Sequence, residues 1–245
     1  MNSPATSFAQ TKPLEAILVL GTHRSGTSAL TWVINLLGAD LPLDLMPPTP
    51  GNNELGFWEA LDAWHMNDEI LASLGSRRDD WHPIAPGPLD AVAKGPFKNR
   101  ALRMLRQSSP RSNCFVWKDP RSYRLLPFWT RVLDEFGAKV KCVLPIRHPW
   151  EVAESLRVRD GFSHPQPYLL WLRYALEGES ATRGLTHAFL TYDGLLRDWQ
   201  SETDKLADAL GLVWPRRGGG CRDGNRSFSP EGTSAPCGRC EFPIG

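Results

Sequence analysis

Short apolar runs alternate along the chain with longer stretches in which apolar residues recur every three or four positions. Glu15-Ala-Ile-Leu-Val-Leu20 is apolar after its first residue and is followed at once by Gly21, the pattern of a strand buried on both faces of a parallel sheet. From Ser28 to Leu37 the apolar positions fall at helical spacing, and the run stops at Gly38. Cys114-Phe-Val-Trp117, Lys141-Cys-Val-Leu-Pro-Ile146 and His187-Ala-Phe-Leu-Thr191 read as three further strands. Helices are expected near 59–74, 90–107 and 121–136, from Pro149 onward, near 168–183, and over 192–210 with a stop at Gly211. Between Asp40 and Phe57, Pro42, Pro47, Pro48 and Pro50 with Gly51 and Asn52 break any regular element, so a long loop is expected beside the first helix. Strands alternating with helices predict an α/β fold: a P-loop-like three-layer domain with a central parallel sheet flanked by helices, binding ligands at the strands' carboxyl ends.

A chain of 245 residues that is 41% hydrophobic suits one such domain, expected over 14–215. Residues 1–13 are polar and are expected to form a disordered lead-in. From 216 to 245 the composition turns abruptly to Gly, Arg, Ser, Pro and Cys, giving an irregular tail, disordered or an aberrant, out-of-frame end. Cys237-Gly-Arg-Cys240 has metal-ligand spacing, but Cys221 is the only other thiol nearby and no histidine follows, so no metal site is expected. Five cysteines, the first two in apolar runs, do not suggest a disulfide framework. Twenty-eight Lys and Arg against 27 Asp and Glu leave a net charge of +1, which argues against nucleic acid as a partner and makes any anion site a local one. No segment approaches the roughly 18 apolar residues of a membrane span, and the first residues lack a basic start and an apolar run, so a cytoplasmic location is expected.

The densest chemistry follows the first strand. In Gly21-Thr22-His23-Arg24-Ser25-Gly26-Thr27-Ser28 the glycines let the backbone curl so that successive N–H groups and a helix N-terminus point at one anion, and Thr27 and Ser28 add hydroxyls. The G-x4-G spacing is that of the nucleotide-triphosphate P-loop, yet Thr27 stands where that motif requires Lys, and Arg24 supplies the charge instead. A kinase or other NTPase is therefore the alternative enzyme class, and a catalytically impaired nucleotide-binding relative the alternative outside catalysis. At the end of the third strand, Arg147 precedes a helix carrying Ser155, so a guanidinium and a hydroxyl can converge on a second anion. Lys118 and Arg121, in Lys118-Asp119-Pro120-Arg121 after the second strand, bring further positive charge to the same edge or stand on the surface.

These three segments together resemble the sulfotransferase superfamily over most of residues 15–215. In motif style they are closest to tyrosylprotein and bacterial carbohydrate sulfotransferases, whose loop reads R-S-G-T and whose middle strand ends in K-D-P, here Arg24 to Thr27 and Lys118 to Pro120. The resemblance implies 3′-phosphoadenosine-5′-phosphosulfate (PAPS) as the donor, with Thr22, His23, Arg24, Ser25, Gly26, Thr27 and Ser28 on its 5′-phosphosulfate, Arg147 and Ser155 on its 3′-phosphate, and Tyr192 near the nucleotide. It also implies Arg24 and Lys118 at the bridging and sulfuryl oxygens, a scheme that asks for no metal. For the base that takes the acceptor's proton, Glu59 is the first candidate, with Glu54 and His65 behind it. The acceptor is expected to be a carbohydrate or other small hydroxylated molecule. Phe57, Trp58, Trp64 and Trp81 offer either a wall for it or core packing.

Overall fold

The computed structural model describes residues 13–50, 52–108 and 111–216. The expected lead-in up to 12 and the tail from 217, with its three cysteines, lie outside the described residues. Four strands, β1 (Leu14–Val19), β2 (Cys114–Lys118), β3 (Ala138–Ile146) and β4 (Thr186–Thr191), run parallel in the order β2-β1-β3-β4. Ten helices among the described residues complete the fold: α1 (Thr27–Leu36), α2 (Leu61–Ser73), α3 (Pro86–Val92), α4 (Pro96–Gln107), α5 (Pro120–Arg124), α6 (Leu126–Phe136), α7 (Pro149–Asp160), α8 (Gln166–Thr182), α9 (Tyr192–Arg197) and α10 (Trp199–Leu210). The expected three-layer α/β architecture with its central parallel sheet is present.

The continuous apolar run of β1 has a simple cause. Ile17 and Val19 pack toward α1 and α10 with Leu30, Ile34, Leu206 and Leu210, while Ala16, Leu18 and Leu20 face a second core with Met66, Trp117, Trp129 and Leu144. Both faces are buried, so no polar alternation survives. Val19 stands opposite Lys118 on one side and Val143 on the other, and Ile146 stands opposite Thr191. β1 and β2 therefore end level with each other, and β3 and β4 end together three residues beyond Val143. The chain leaves β1 for β2 on one side while β3 lies on the other, and this reversal opens a crevice at the strands' carboxyl ends.

Three expected helices divide. The 90–107 stretch splits because Pro96 has no N–H to continue a helix and instead opens α4 after Gly95. The 121–136 stretch breaks at Leu125, ahead of Pro127 in the first turn of α6. The 192–210 stretch breaks at Asp198, whose carboxylate accepts from the Ser201 backbone N–H (3.0 Å) and caps α10. The proline-rich segment is less irregular than its composition suggests. The Met46 N–H donates to the Glu59 carbonyl (2.8 Å) and the Leu61 N–H to that of Asp44 (2.7 Å), so the segment doubles back over the sheet's end and returns Asn52 and Glu59 to the crevice. No helix among the described residues is long and apolar enough to cross a membrane.

The helices below the sheet pack without spare volume where α8 meets α5. Gly178 on α8 lies so close to Tyr123 that a methyl group there would fall within 1.8 Å of the phenol ring. Gly178→Ala is expected to destabilise the fold by about 1–3 kcal/mol through overpacking, against the usual gain in helix propensity. A urea unfolding titration reads the difference.

Candidate active site

The loop after β1 is shaped by two residues in the left-handed region, Arg24 (φ 69°) and Gly26 (φ 91°). Gly26 is required twice over: its φ suits a residue without Cβ, and a Cβ would lie 2.2 Å from Cδ2 of Tyr192. Ser25 tightens the turn by donating to the Thr22 carbonyl through its hydroxyl (2.8 Å). Helix α1 then starts with no acidic residue in its first turn and no side-chain cap, so its N-terminal N–H groups and partial positive charge face the loop. The Thr22 Oγ1 atom is buried with no hydrogen-bond partner, whereas the hydroxyls of Ser25 and Ser28 are bonded. Such an atom is costly unless a ligand completes it.

The lysine missing from the loop arrives from β2. Lys118 Nζ donates to Ser28 Oγ (3.1 Å) and to the Phe57 carbonyl (3.0 Å), and forms an ion pair with Glu59 Oε1. Lys118 and Glu59 are both about 4% exposed. Burial pushes the Glu59 carboxyl up from its ordinary range, with Lys118 pulling the other way. Arg121, read from sequence as crevice charge or surface charge, is neither. It is 2% exposed and neutralised by Asp68 (2.5 Å) and Asp119 (3.1 Å), with Glu59 Oε2 at 3.9 Å. Asn67 and Trp129 extend this buried network, Asn67 donating to Asp119 (2.9 Å) and accepting from the indole N–H (3.0 Å).

On the other side of the loop, Arg147 Nη1 donates to the Arg24 carbonyl (3.1 Å) while its Nε donates to Glu151 (2.8 Å) and its guanidinium lies 4.8 Å over the Tyr192 ring. Tyr192 thus touches both the cradle and Arg147. Ser155 accepts from Arg24 Nε (2.7 Å), and Asn52 accepts from Arg24 Nη1 (3.3 Å). A cleft of about 640 Å³ opens here, lined among others by Arg24, Asn52, Arg147, Trp150, Ser155 and Arg159. Burial, with the like charges of Arg159 and Arg147, lowers the proton affinity of Arg24, and among the described residues no carboxylate forms an ion pair with its guanidinium. Arg147 and Arg159 have carboxylate partners in Glu151 (2.8 Å) and Asp160 (2.6 Å), so the charge left without an ion pair is that of Arg24.

The structure thus brings Thr22 to Ser28, Lys118, Glu59, Arg147, Ser155 and Tyr192 to one end of the sheet. It does not bring the other two base candidates to Lys118. Glu54 is exposed in the turn of the doubled-back segment, and His65 is exposed on α2, edge-on to Trp64 (4.7 Å). Trp64 stacks on Arg121 (5.0 Å) and Trp81 on His82 (5.4 Å). Asn52 and Arg159 escaped the sequence reading. Arg159 had a usable signal, since Glu151, Ser155 and Arg159 recur every four residues on α7 and face the cleft together. Among the described residues no cluster of three or more His, Cys, Asp or Glu side chains is arranged to hold a metal.

No protein-family model matches the sequence, and no curated protein matches it. The structure is similar to solved sulfotransferase domains. One is from the Synechococcus PCC 7002 olefin synthase, with 18% identity over 83% of this chain and 76% of that one and a TM-score of 0.48. Another is from the curacin biosynthetic pathway, with 18% identity over 82% and 75% and the same TM-score.

Removing one member of a buried ion pair leaves the other charge stranded, a loss of about 3–5 kcal/mol. Glu59→Gln and Lys118→Met are each expected to destabilise strongly, and the double variant to lose less than the sum, with a coupling of about 1–3 kcal/mol. Denaturant titrations of the four proteins check it.

Proposed function

We propose that this protein is a sulfotransferase that moves a sulfuryl group from PAPS to a hydroxyl acceptor, a carbohydrate or other small hydroxylated molecule. One observation carries the reading: an anion cradle without the P-loop lysine shares a cleft with a second cationic group, Arg147. A nucleotide phosphorylated at both the 5′ and 3′ positions matches such a pair of sites. The residues fit that donor, since the open N-terminus of α1 and the unpartnered Thr22 hydroxyl suit one phosphate and the uncompensated Arg24 a second negative group nearby.

The donor supplies a sulfuryl group on a phosphate leaving group; the rest is the protein's work. Negative charge builds on the leaving oxygen as the group moves, so positioning and charge stabilisation dominate. The N–H groups of the cradle and Arg24 bind the 5′ end, and Lys118, one hydrogen bond from Ser28, stabilises the leaving oxygen. Arg147, with Ser155 reached through Arg24, binds the 3′-phosphate, and Tyr192 packs beside the nucleotide. Of the carboxylates proposed as base, Glu59 is the one in contact with Lys118, so accepting a proton would cost it that ion pair.

Adenosine 3′,5′-bisphosphate is expected to bind without metal and to raise the melting temperature, with ATP and Mg²⁺ binding poorly. The reverse preference would return the protein to the NTPase class. Arg147→Ala is expected to weaken bisphosphate binding by about tenfold or more, since hydrogen bonds to charged groups contribute about 1.5–3 kcal/mol. Lys118→Ala is expected to lower turnover by about 10²-fold with a smaller effect on binding, and a fully active Lys118→Ala enzyme would remove its assignment.

A further inference from the structure

Five buried side-chain atoms among the described residues have no hydrogen-bond partner, and two of them lie on consecutive residues of the cradle: Thr22 Oγ1 and His23 Nε2. Thr22 is accounted for by the donor's phosphate. His23, which the resemblance also places on the donor, is served by it only through an N–H; with the ring proton on Nδ1, Nε2 is an acceptor that no phosphate oxygen satisfies. Its ring meets Tyr174 of α8 edge-on (6.3 Å between centroids), and Tyr174 is fixed by donating its hydroxyl to the Arg78 carbonyl (3.1 Å).

The charges acting on His23 come from four elements: Lys118 at the end of β2, Arg121 of α5, Arg159 of α7 and Arg78 of the 75–85 loop. Glu59, Asp119 and Asp68 already offset Lys118 and Arg121, and Asp160 offsets Arg159 (2.6 Å) with Arg78 more distant from it (3.9 Å). Burial and these like charges hold the free protein's imidazole neutral, well below the usual histidine range. Anionic phosphates arriving in the cradle oppose that field and strengthen the base.

Building on the sulfotransferase reading, we infer that His23 is a catalytic residue whose Nε2 takes the acceptor's hydroxyl proton, and that it becomes a competent base only with the donor bound. The acceptor O–H bond breaks as the proton moves to Nε2 and the acceptor oxygen bonds to sulfur. The bond from sulfur to the 5′-phosphate oxygen breaks with its electron pair staying on the phosphate, and the imidazolium then releases the proton to solvent. In this scheme Glu59 serves as a positioning residue that holds Lys118.

The test needs no acceptor to be identified. The His23 ring proton is followed by NMR through a pH titration, with and without adenosine 3′,5′-bisphosphate, and the resonance is assigned with His23→Gln. Binding is expected to raise the midpoint by about one pH unit or more, as a neighbouring opposite charge does. In parallel, hydrolysis of PAPS with water as acceptor is measured against pH. His23→Asn and His23→Gln are expected to lose about 10²-fold in rate together with the acid limb of the profile, while keeping the melting temperature within a few degrees. Glu59→Gln should retain that limb. An unmoved midpoint on nucleotide binding, or variants with wild-type rate and profile, would overturn the role of His23 and leave the donor assignment standing. Failure of the bisphosphate to bind at all would overturn both.

Discussion

The buried pair of Lys118 and Glu59 is the contact on which the site depends. A lysine ammonium at the end of β2, an edge strand of the sheet, almost wholly out of water, is tolerable only with a carboxylate and further acceptors around it. The doubled-back proline-rich segment supplies both, bringing Glu59 and the Phe57 carbonyl to one nitrogen. That segment is therefore tied to the carboxyl end of the sheet by charge as well as by the buried Ala60, and the helix after it starts from a fixed point. Because Ser28 at the start of α1 shares the same nitrogen, the anion cradle, the strap and β2 are set relative to one another by a single charged group.

Around this neutralised pair the charge is unevenly distributed. Arg121 is matched by two aspartates and lies in the interior, where it braces α2 against α5. Arg24, by contrast, is bonded to a serine and an asparagine, and it feels two further arginines. A protein with a net charge of +1 has thus gathered three arginines at one cleft, two of them paired with Glu151 and Asp160 and the third, Arg24, without a carboxylate. Stability alone gives no reason to crowd guanidinium groups, whereas an anionic ligand does.

The sheet was readable from sequence because its strands are short apolar runs ending in Gly, Lys, Arg or Tyr, and the parallel strands bring those terminal residues to the same end of the sheet. The cradle was readable for the same reason, since a buried strand, a glycine loop and a helix form one local unit. What could not be read was set by distant contacts. Whether Arg121 points to the crevice or into the core is decided by Asp68, 53 positions away. Ser155 was expected beside Arg147 and instead receives its hydrogen bond from Arg24, a pairing across 131 positions. Helix breaks at Leu125 and Asp198 were hidden because periodicity continues through them, and only Pro127 and the capping carboxylate of Asp198 mark the joints.

Tyr192 has a consequence beyond its own contacts. It begins α9 immediately after β4, and its ring sits between Gly26 of the first loop and the guanidinium of Arg147. Four-stranded pairing fixes where β4 ends, so the aromatic ring acts as a spacer whose thickness, with the hydrogen bonds across the sheet, sets how far Gly26 stands from the Arg147 guanidinium. The width of the cleft between the first loop and Arg147 is in this sense written into strand alignment, and a slip of β4 along β3 would alter it without changing any residue of the loop.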